Sequence, residues 1–194
     1  MSGTRGAGTG SGLDAEPWLV VIDMQHVFGD PASGWFTPRF EEARAGIRRL
    51  LPAFGDRVVH TRFIAPEHPE GAWSAYYEVW PWALVPDDDP LYGLVDEPES
   101  SHAIVTENTF GKWGPRLDAA TGGSRELVLA GVSTDCCVIS TALPAADAGV
   151  HVRIAADACA GATDSDHRRA LDAMALYAPL IDVTDVDAVL APMR

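Results

Sequence analysis

The sequence is poor in three things: long apolar runs, cysteine and positive charge. Nowhere in its 194 residues does an unbroken apolar stretch reach the roughly 18 residues of a membrane span. Its opening, MSGTRGAGTGSG, has no apolar segment of the kind a secretory signal needs. The three cysteines, Cys136, Cys137 and Cys159, are odd in number and two are adjacent. That pattern predicts reduced thiols and a cytoplasmic location rather than a disulfide framework. Basic residues number 14 against 28 acidic ones, a formal net charge of −14. Phosphate backbones would repel such a chain, so neither nucleic acid nor a membrane is expected as a partner. A cationic substrate is compatible with that field, although acidic balance also serves plain solubility.

What is present reads as a globular protein, with 47% hydrophobic and 22% charged residues. Residues 1–16 are Gly/Ser/Thr-rich and predict a disordered lead, and 17–194 predict one domain. Trp18–Ile22 (WLVVI) is a near-continuous apolar run with β-branched residues, the mark of a strand buried on both faces. Phe40, Ala43, Ile47, Leu50, Leu51 and Phe54 then recur at helical spacing, and Gly55 is a plausible stop. Further strands are expected at 57–63, 102–106, 126–130, 151–156 and 180–183. Helices are expected at 113–120, 134–148, 164–177 and 185–190, with a kink or early break at Pro144. Strands alternating with helices imply right-handed βαβ units. The expected fold is therefore a three-layer α/β/α sandwich around a mostly parallel, six-stranded, Rossmann-like sheet. Residues 64–100 interrupt this alternation with Pro, Trp and Tyr and no clear period. A loop of that length is functional more often than not.

Ligands in such sheets bind at the carboxyl ends of the strands. That rule singles out Asp23 and Gln25, Arg62, Glu107 and the segment beginning at Gly131. Gly131-Val132-Ser133-Thr134-Asp135-Cys136-Cys137-Val138 follows a buried strand and opens a helix. A helix N-terminus stabilises a thiolate, and its N–H groups can hold an oxyanion. Buried cysteines are also often inert, and spacing alone does not choose between the two adjacent thiols. Asp23, directly after an apolar strand, sheds water and becomes a better proton acceptor, or else serves as a cap.

Ile22-Asp23-Met24-Gln25 with Phe28, and GVSTDCCV followed by Ser140-Thr141-Ala142, resemble the isochorismatase-like cysteine hydrolases. That superfamily includes nicotinamidases, N-carbamoylsarcosine and ureidoacrylate amidohydrolases, and isochorismatases. The likeness in element order runs from about residue 17 to about residue 190. It implies that Cys137, the cysteine directly before valine, is the nucleophile and Asp23 the catalytic aspartate. It also implies a cis peptide at Val132–Ser133, with the backbone N–H groups of Ser133 and Cys137 as oxyanion donors.

At the third family residue the sequence departs from the pattern. Relatives carry a lysine at the end of the third strand, four residues before a serine. By that spacing Glu107 stands at the lysine position and Gly111 at the serine. The single lysine of the chain, Lys112, lies five residues beyond Glu107. Either Lys112 swings back to neutralise the two carboxylates, or Asp23 and Glu107 share a proton and the chemistry is altered or lost.

Nicotinamidase-type relatives hold a metal with an Asp-x-His pair and further histidines after the second strand. Here that region reads His60-Thr61-Arg62-Phe63, with His68 further on, so no metal and no cofactor are expected. His26 and His167 read as capping or surface groups. The expected substrate pocket comprises Gln25, Phe28, Trp35, Arg62, Trp73 and Trp80, although aromatic residues serve subunit interfaces equally well. Relatives commonly form homodimers or homotetramers. Many carboxylate-binding relatives place an arginine two residues after the nucleophile; here Ile139 stands there, leaving Arg39, Arg62 or Arg116 for that task. The expected activity is cysteine-dependent hydrolysis of a C–N bond in a small amide, urea or carbamoyl compound. The alternatives are vinyl ether hydrolysis with Asp23 as the acid, and a catalytically altered ligand-binding protein on account of Glu107.

Overall fold

Trp18–Ile22 forms the strand around which the sheet is laid. The computed structural model describes residues 16–191 of the chain; the lead expected at 1–16 lies, apart from Glu16, outside the described residues. The strands are β1 (Trp18–Ile22), β2 (Val58–Phe63), β3 (Ala103–Glu107), β4 (Glu126–Val132), β5 (His151–Ala160) and β6 (Ile181–Thr184). They form a single six-stranded sheet in the order β3-β2-β1-β4-β5-β6, and every pairing is parallel. The helices are α1 (His26–Gly29), α2 (Phe40–Phe54), α3 (Ala72–Val79), α4 (Pro115–Ala120), α5 (Ile139–Asp147), α6 (Asp164–Ala175) and α7 (Val186–Leu190).

The unbroken apolar runs of β1 and β4 follow from having both faces covered. Leu19 and Val21 of β1, with Val128 and Ala130 of β4, pack under Phe40, Ala43, Ile47, Leu50 and Phe54 of α2 and Val186 of α7. The alternate residues Val20, Ile22, Leu127 and Leu129 pack against Leu117 of α4, Ala142 and Ala145 of α5, and Met174 of α6. This is the expected three-layer sandwich. Each of the Val, Leu, Ile, Phe and Met side chains among them contributes about 1.5–3 kcal/mol by its burial.

Three boundaries differ from the sequence expectation for identifiable reasons. β5 continues past Ala156 to Ala160 through an irregularity in its register with β4 between Leu129 and Gly131. Asp157, which reads as a loop residue, accepts the Val186 N–H at 2.7 Å in that stretch. The expected helix at 134–148 divides into a π-helical turn, Thr134–Val138, and α5. Pro144 does not break α5, which runs on to Asp147. Residues 64–100 contain α3 and two short 3₁₀ turns, Pro81–Ala83 and Pro90–Tyr92. Their path is held by an isolated bridge between Gln25 and Leu94.

On β2, His60 is buried, with Nε2 3.3 Å from Nδ1 of His102 and the two rings stacked at 5.4 Å. Burial first, and the neighbouring His102 second, lower its pKa to about 4. The unfolded chain titrates this ring near 6.5 and so binds the proton first as pH falls. The stability it confers is present above pH 6.5 and is lost between about 6.5 and about 4. Between about pH 7.5 and about pH 5 the wild type is expected to lose about 2 kcal/mol more than His60→Leu in urea unfolding. Equal losses in the two proteins would show that His60 does not carry this dependence.

Candidate active site

The strand order reverses between β1 and β4, and the carboxyl ends of these two strands leave a crevice there. Ile22 of β1 sits opposite Gly131 of β4. A Cβ on Gly131 would lie 2.1 Å from the Ile22 carbonyl oxygen, and its φ is +125°, so only glycine lets the strands approach this closely. Asp23 follows the last residue of β1, and Ser133 follows the last residue of β4. The Val132–Ser133 peptide is cis.

Asp23 is fully buried, at a φ of +49° that aspartate tolerates better than most residues. Thr61 of β2 fixes it from two sides. The Asp23 N–H donates to Thr61 Oγ1 at 3.1 Å, and the Thr61 hydroxyl donates to Asp23 Oδ1 at 2.5 Å. Asp23 Oδ2 lies 3.0 Å from Lys112 Nζ, with neither side chain exposed. The approach is one of charges: Oδ2 accepts no well-aligned hydrogen bond among the described residues, so a lone pair remains for a proton. Lys112 Nζ donates to the Thr109 carbonyl at 2.6 Å and stands 5.2 Å from the centre of the Phe63 ring.

Lys112 reaches Asp23 because its loop lies against α5. A Cβ on Gly111 would come within 2.5 Å of the Ser140 carbonyl oxygen. Pro144 has no N–H to offer that carbonyl, four residues back along α5. The Lys112 N–H donates to Thr141 Oγ1 at 3.0 Å, and the Thr141 hydroxyl donates to the Cys137 carbonyl at 2.7 Å. The loop carrying the lysine is thereby tied to the turn carrying the thiol.

Glu107 ends β3 but lies apart from this cluster. Its carboxylate is 3.5 Å from Arg116, which also donates to the Thr106 carbonyl at 2.9 Å. Of the two arrangements left open by the sequence, the structure has Lys112, from the loop after β3, beside Asp23, while Glu107 pairs with Arg116.

Cys137, in the π-helical turn, is 2% exposed. Burial first and the Asp23 carboxylate second raise its pKa well above that of a free thiol, while the Lys112 ammonium pulls the other way. The free site therefore holds a thiol. Passing its proton to Asp23 leaves the total charge of the buried cluster unchanged, whereas losing it to solvent would bury an extra negative charge. The adjacent Cys136 is half-buried, and its pKa is also raised, mainly by burial.

Cys137 and Ser133 line a cavity of about 350 Å³ with Cys136, Asp135, Thr37, Gly34, Phe36, Ala162 and the rings of Phe28, Trp35, Phe63, Tyr76, Trp80 and Phe110. Burial raises the Tyr76 pKa to about 12, so its phenol remains a donor at neutral pH. Of the expected wall residues, Phe28, Trp35 and Trp80 line the cavity and three do not. Gln25 is fully buried and clamps the chain: its Nε2 donates to the Phe63 and Tyr92 carbonyls at 2.9 and 2.7 Å, and its Oε1 accepts the Phe63 N–H at 2.7 Å. Arg62 points to the Tyr92 and Asp87 carbonyls, at 3.2 and 2.7 Å. Trp73 stands behind the wall, edge-on to Tyr76 and Phe110 at 5.3 and 5.1 Å. The aromatic stretch of residues 64–100 already pointed to Tyr76, whereas sequence reasoning missed Phe63, Phe110 and Asp135 as lining residues. The strand-end rule signals Phe63, and the thiol motif itself contains Asp135. Phe110 belongs to a segment without a period.

The described residues contain no group of three or more His, Cys, Asp or Glu side chains able to hold a metal ion together.

The family model described as Isochorismatase domain matches residues 17–185. A cysteine hydrolase from Pseudomonas syringae pv. phaseolicola 1448A superposes with a TM-score of 0.80 at 20% identity, covering 97% of this chain and 96% of that one. N-carbamoylsarcosine amidase from Thermoplasma acidophilum gives 0.72 at 18% identity, covering 91% and 100%. Pyrazinamidase of Pyrococcus horikoshii, solved in complex with zinc, gives 0.70 at 21%, covering 88% and 99%. At these identities the structural likeness speaks for the fold.

A buried carboxylate stripped of its only cation is destabilising by about 3–5 kcal/mol. Lys112→Met is expected to cost that much in urea unfolding, and adding Asp23→Asn to recover most of it. Glu107→Gln, which loosens a surface pair, should stay within about 0.5 kcal/mol of wild type. Additive losses in the Lys112→Met/Asp23→Asn double variant would contradict the pairing.

Proposed function

The chain belongs to the isochorismatase family, and from that membership we propose that it is a cysteine-dependent hydrolase of a C–N bond in a small amide, urea or carbamoyl compound. The observation that carries the proposal is the buried Asp23–Lys112 pair, 3.0 Å apart, acting on a thiol that lines an aromatic cavity. The ligand-binding alternative rested on Glu107 beside Asp23, and Glu107 lies with Arg116 instead.

In this reading Asp23 Oδ2 takes the proton of Cys137 as the thiolate attacks the substrate carbonyl. The backbone N–H groups of Ser133 and Cys137 hold the resulting oxyanion. Asp23 returns the proton to the leaving nitrogen, the C–N bond breaks, and an acyl group remains on sulfur. Water, losing a proton to Asp23, then attacks this thioester and frees the acid, and the proton returns to the thiolate. The Lys112 ammonium, 3.0 Å from Asp23 Oδ2, offsets the negative charge passed between oxygen and sulfur.

The same reading places the protein in the cytoplasm with its three thiols reduced, and no helix of the described residues is long and apolar enough to cross a membrane. It also takes the protein as a homodimer or homotetramer, for which exposed Leu176, Tyr177 and Leu180 offer apolar surface.

Incubation with a panel of small amides and ureas, followed by mass spectrometry of the intact and digested protein, tests the proposal. An acyl adduct on Cys137 is expected, still on Cys137 in Cys136→Ser. Asp23→Asn should slow its formation by about 10²–10⁴-fold. Turnover persisting in Cys137→Ala, or an adduct mapped to Cys136, would overturn it.

A further inference from the structure

The cavity above Cys137 has walls of one character and a charge of one sign. Seven of the lining residues are aromatic, and the single charged one is Asp135. No arginine, lysine or histidine of the described residues lines it. The arginines that a carboxylate would call upon are engaged elsewhere. Arg39 pairs with Glu42 and Asp164, Arg62 with the Tyr92 and Asp87 carbonyls, and Arg116 with Glu107 and the Thr106 carbonyl. Lys112, 1% exposed, is held against Asp23 below the thiol. Asp135 itself accepts the Ala162 N–H at 2.9 Å through Oδ1, and its Oδ2 faces Cys136 Sγ at 3.9 Å. A carboxylate has about four lone-pair sites, so Asp135 keeps accepting capacity to spare.

We propose that this cavity selects flat, aromatic amides that are uncharged or carry a cationic or hydrogen-bond-donating group toward Asp135, and that it rejects amides bearing a carboxylate. The amide rests on the hydrolase reading above, whereas the selection by charge rests on the cavity alone. An anion entering here sheds its water, meets the negative faces of the rings and finds Asp135 as the nearest charge on the wall. A cation meets the opposite field at the rings, at Asp135 and in the net charge of −14. The volume of about 350 Å³ lies at the small end of ligand sites, which suits a single ring with its amide.

Calorimetric titration of Cys137→Ala protein, which cannot turn its ligand over, separates binding from catalysis. The probes are benzamide, para-carboxybenzamide and para-(aminomethyl)benzamide. The expected order is the aminomethyl compound at least as tight as benzamide, with the carboxylate about 100-fold weaker or more. Asp135→Asn, which keeps an oxygen for the Ala162 N–H, should weaken the aminomethyl compound relative to benzamide and narrow the gap between benzamide and the carboxylate. The order in the Asp135 protein tests the proposal even if that variant does not fold. Carboxylate binding as tight as that of benzamide, or no binding of any of the three, would overturn it. The hydrolase reading fails on a different result: the expected affinity order with neither product nor acyl adduct from the wild type.

Discussion

The contact on which the site depends is the ion pair between Asp23 and Lys112, closed to solvent on all sides. Two charges removed from water are tolerated only where each finds the other and the remaining polar atoms find partners. Thr61 supplies one such partner to Asp23, and the Thr109 carbonyl and the face of Phe63 supply others to Lys112. Those partners come from β2, from the chain at its end, and from the loop after β3. The pair therefore binds three successive βα units at the reversal of strand order. A buried pair adds little net stability by itself; this one acts on the neighbouring thiol, whose pKa its two charges move in opposite directions.

That effect is a restraint. The carboxylate and the surrounding apolar core hold the Cys137 proton on sulfur, and the ammonium limits how far. In the proposed mechanism the proton moves within the cluster when a carbonyl arrives, so the charge buried below the cavity does not change. A free thiolate at this position would be more reactive toward any electrophile that entered.

The wall of the cavity comes from a different source. The segment between β2 and β3 has no hydrophobic period because it builds no layer of the sandwich; its rings pack on one another and on Trp35. Gln25 anchors this excursion at both ends, by the Phe63 backbone and the Tyr92 carbonyl. A residue two positions after Asp23 thereby shapes the cavity without lining it.

The architecture was legible in the sequence because burial on two faces leaves a mark on every strand. WLVVI and ELVLA have no polar alternate positions, and the helix of residues 40–54 shows its apolar stripe directly. Asp23 and the paired cysteines were legible too, since each stands where a strand of this kind ends. For the third member of the cluster the sequence offered both Glu107 and Lys112 and did not choose between them. Counting from the strand end leads to Glu107, and only the close approach of Gly111 to Ser140 and the bond from the Lys112 N–H to Thr141 bring the lysine back. Those contacts join segments far apart in the chain, and nothing in local spacing encodes them. The same holds for Gln25, Arg62 and Trp73, whose chemistry suits a pocket but whose side chains the tertiary structure turns to backbone carbonyls and to other rings. Period and polarity report which face of an element is buried; the direction of a long side chain at the edge of the sheet depends on what the rest of the chain packs beside it.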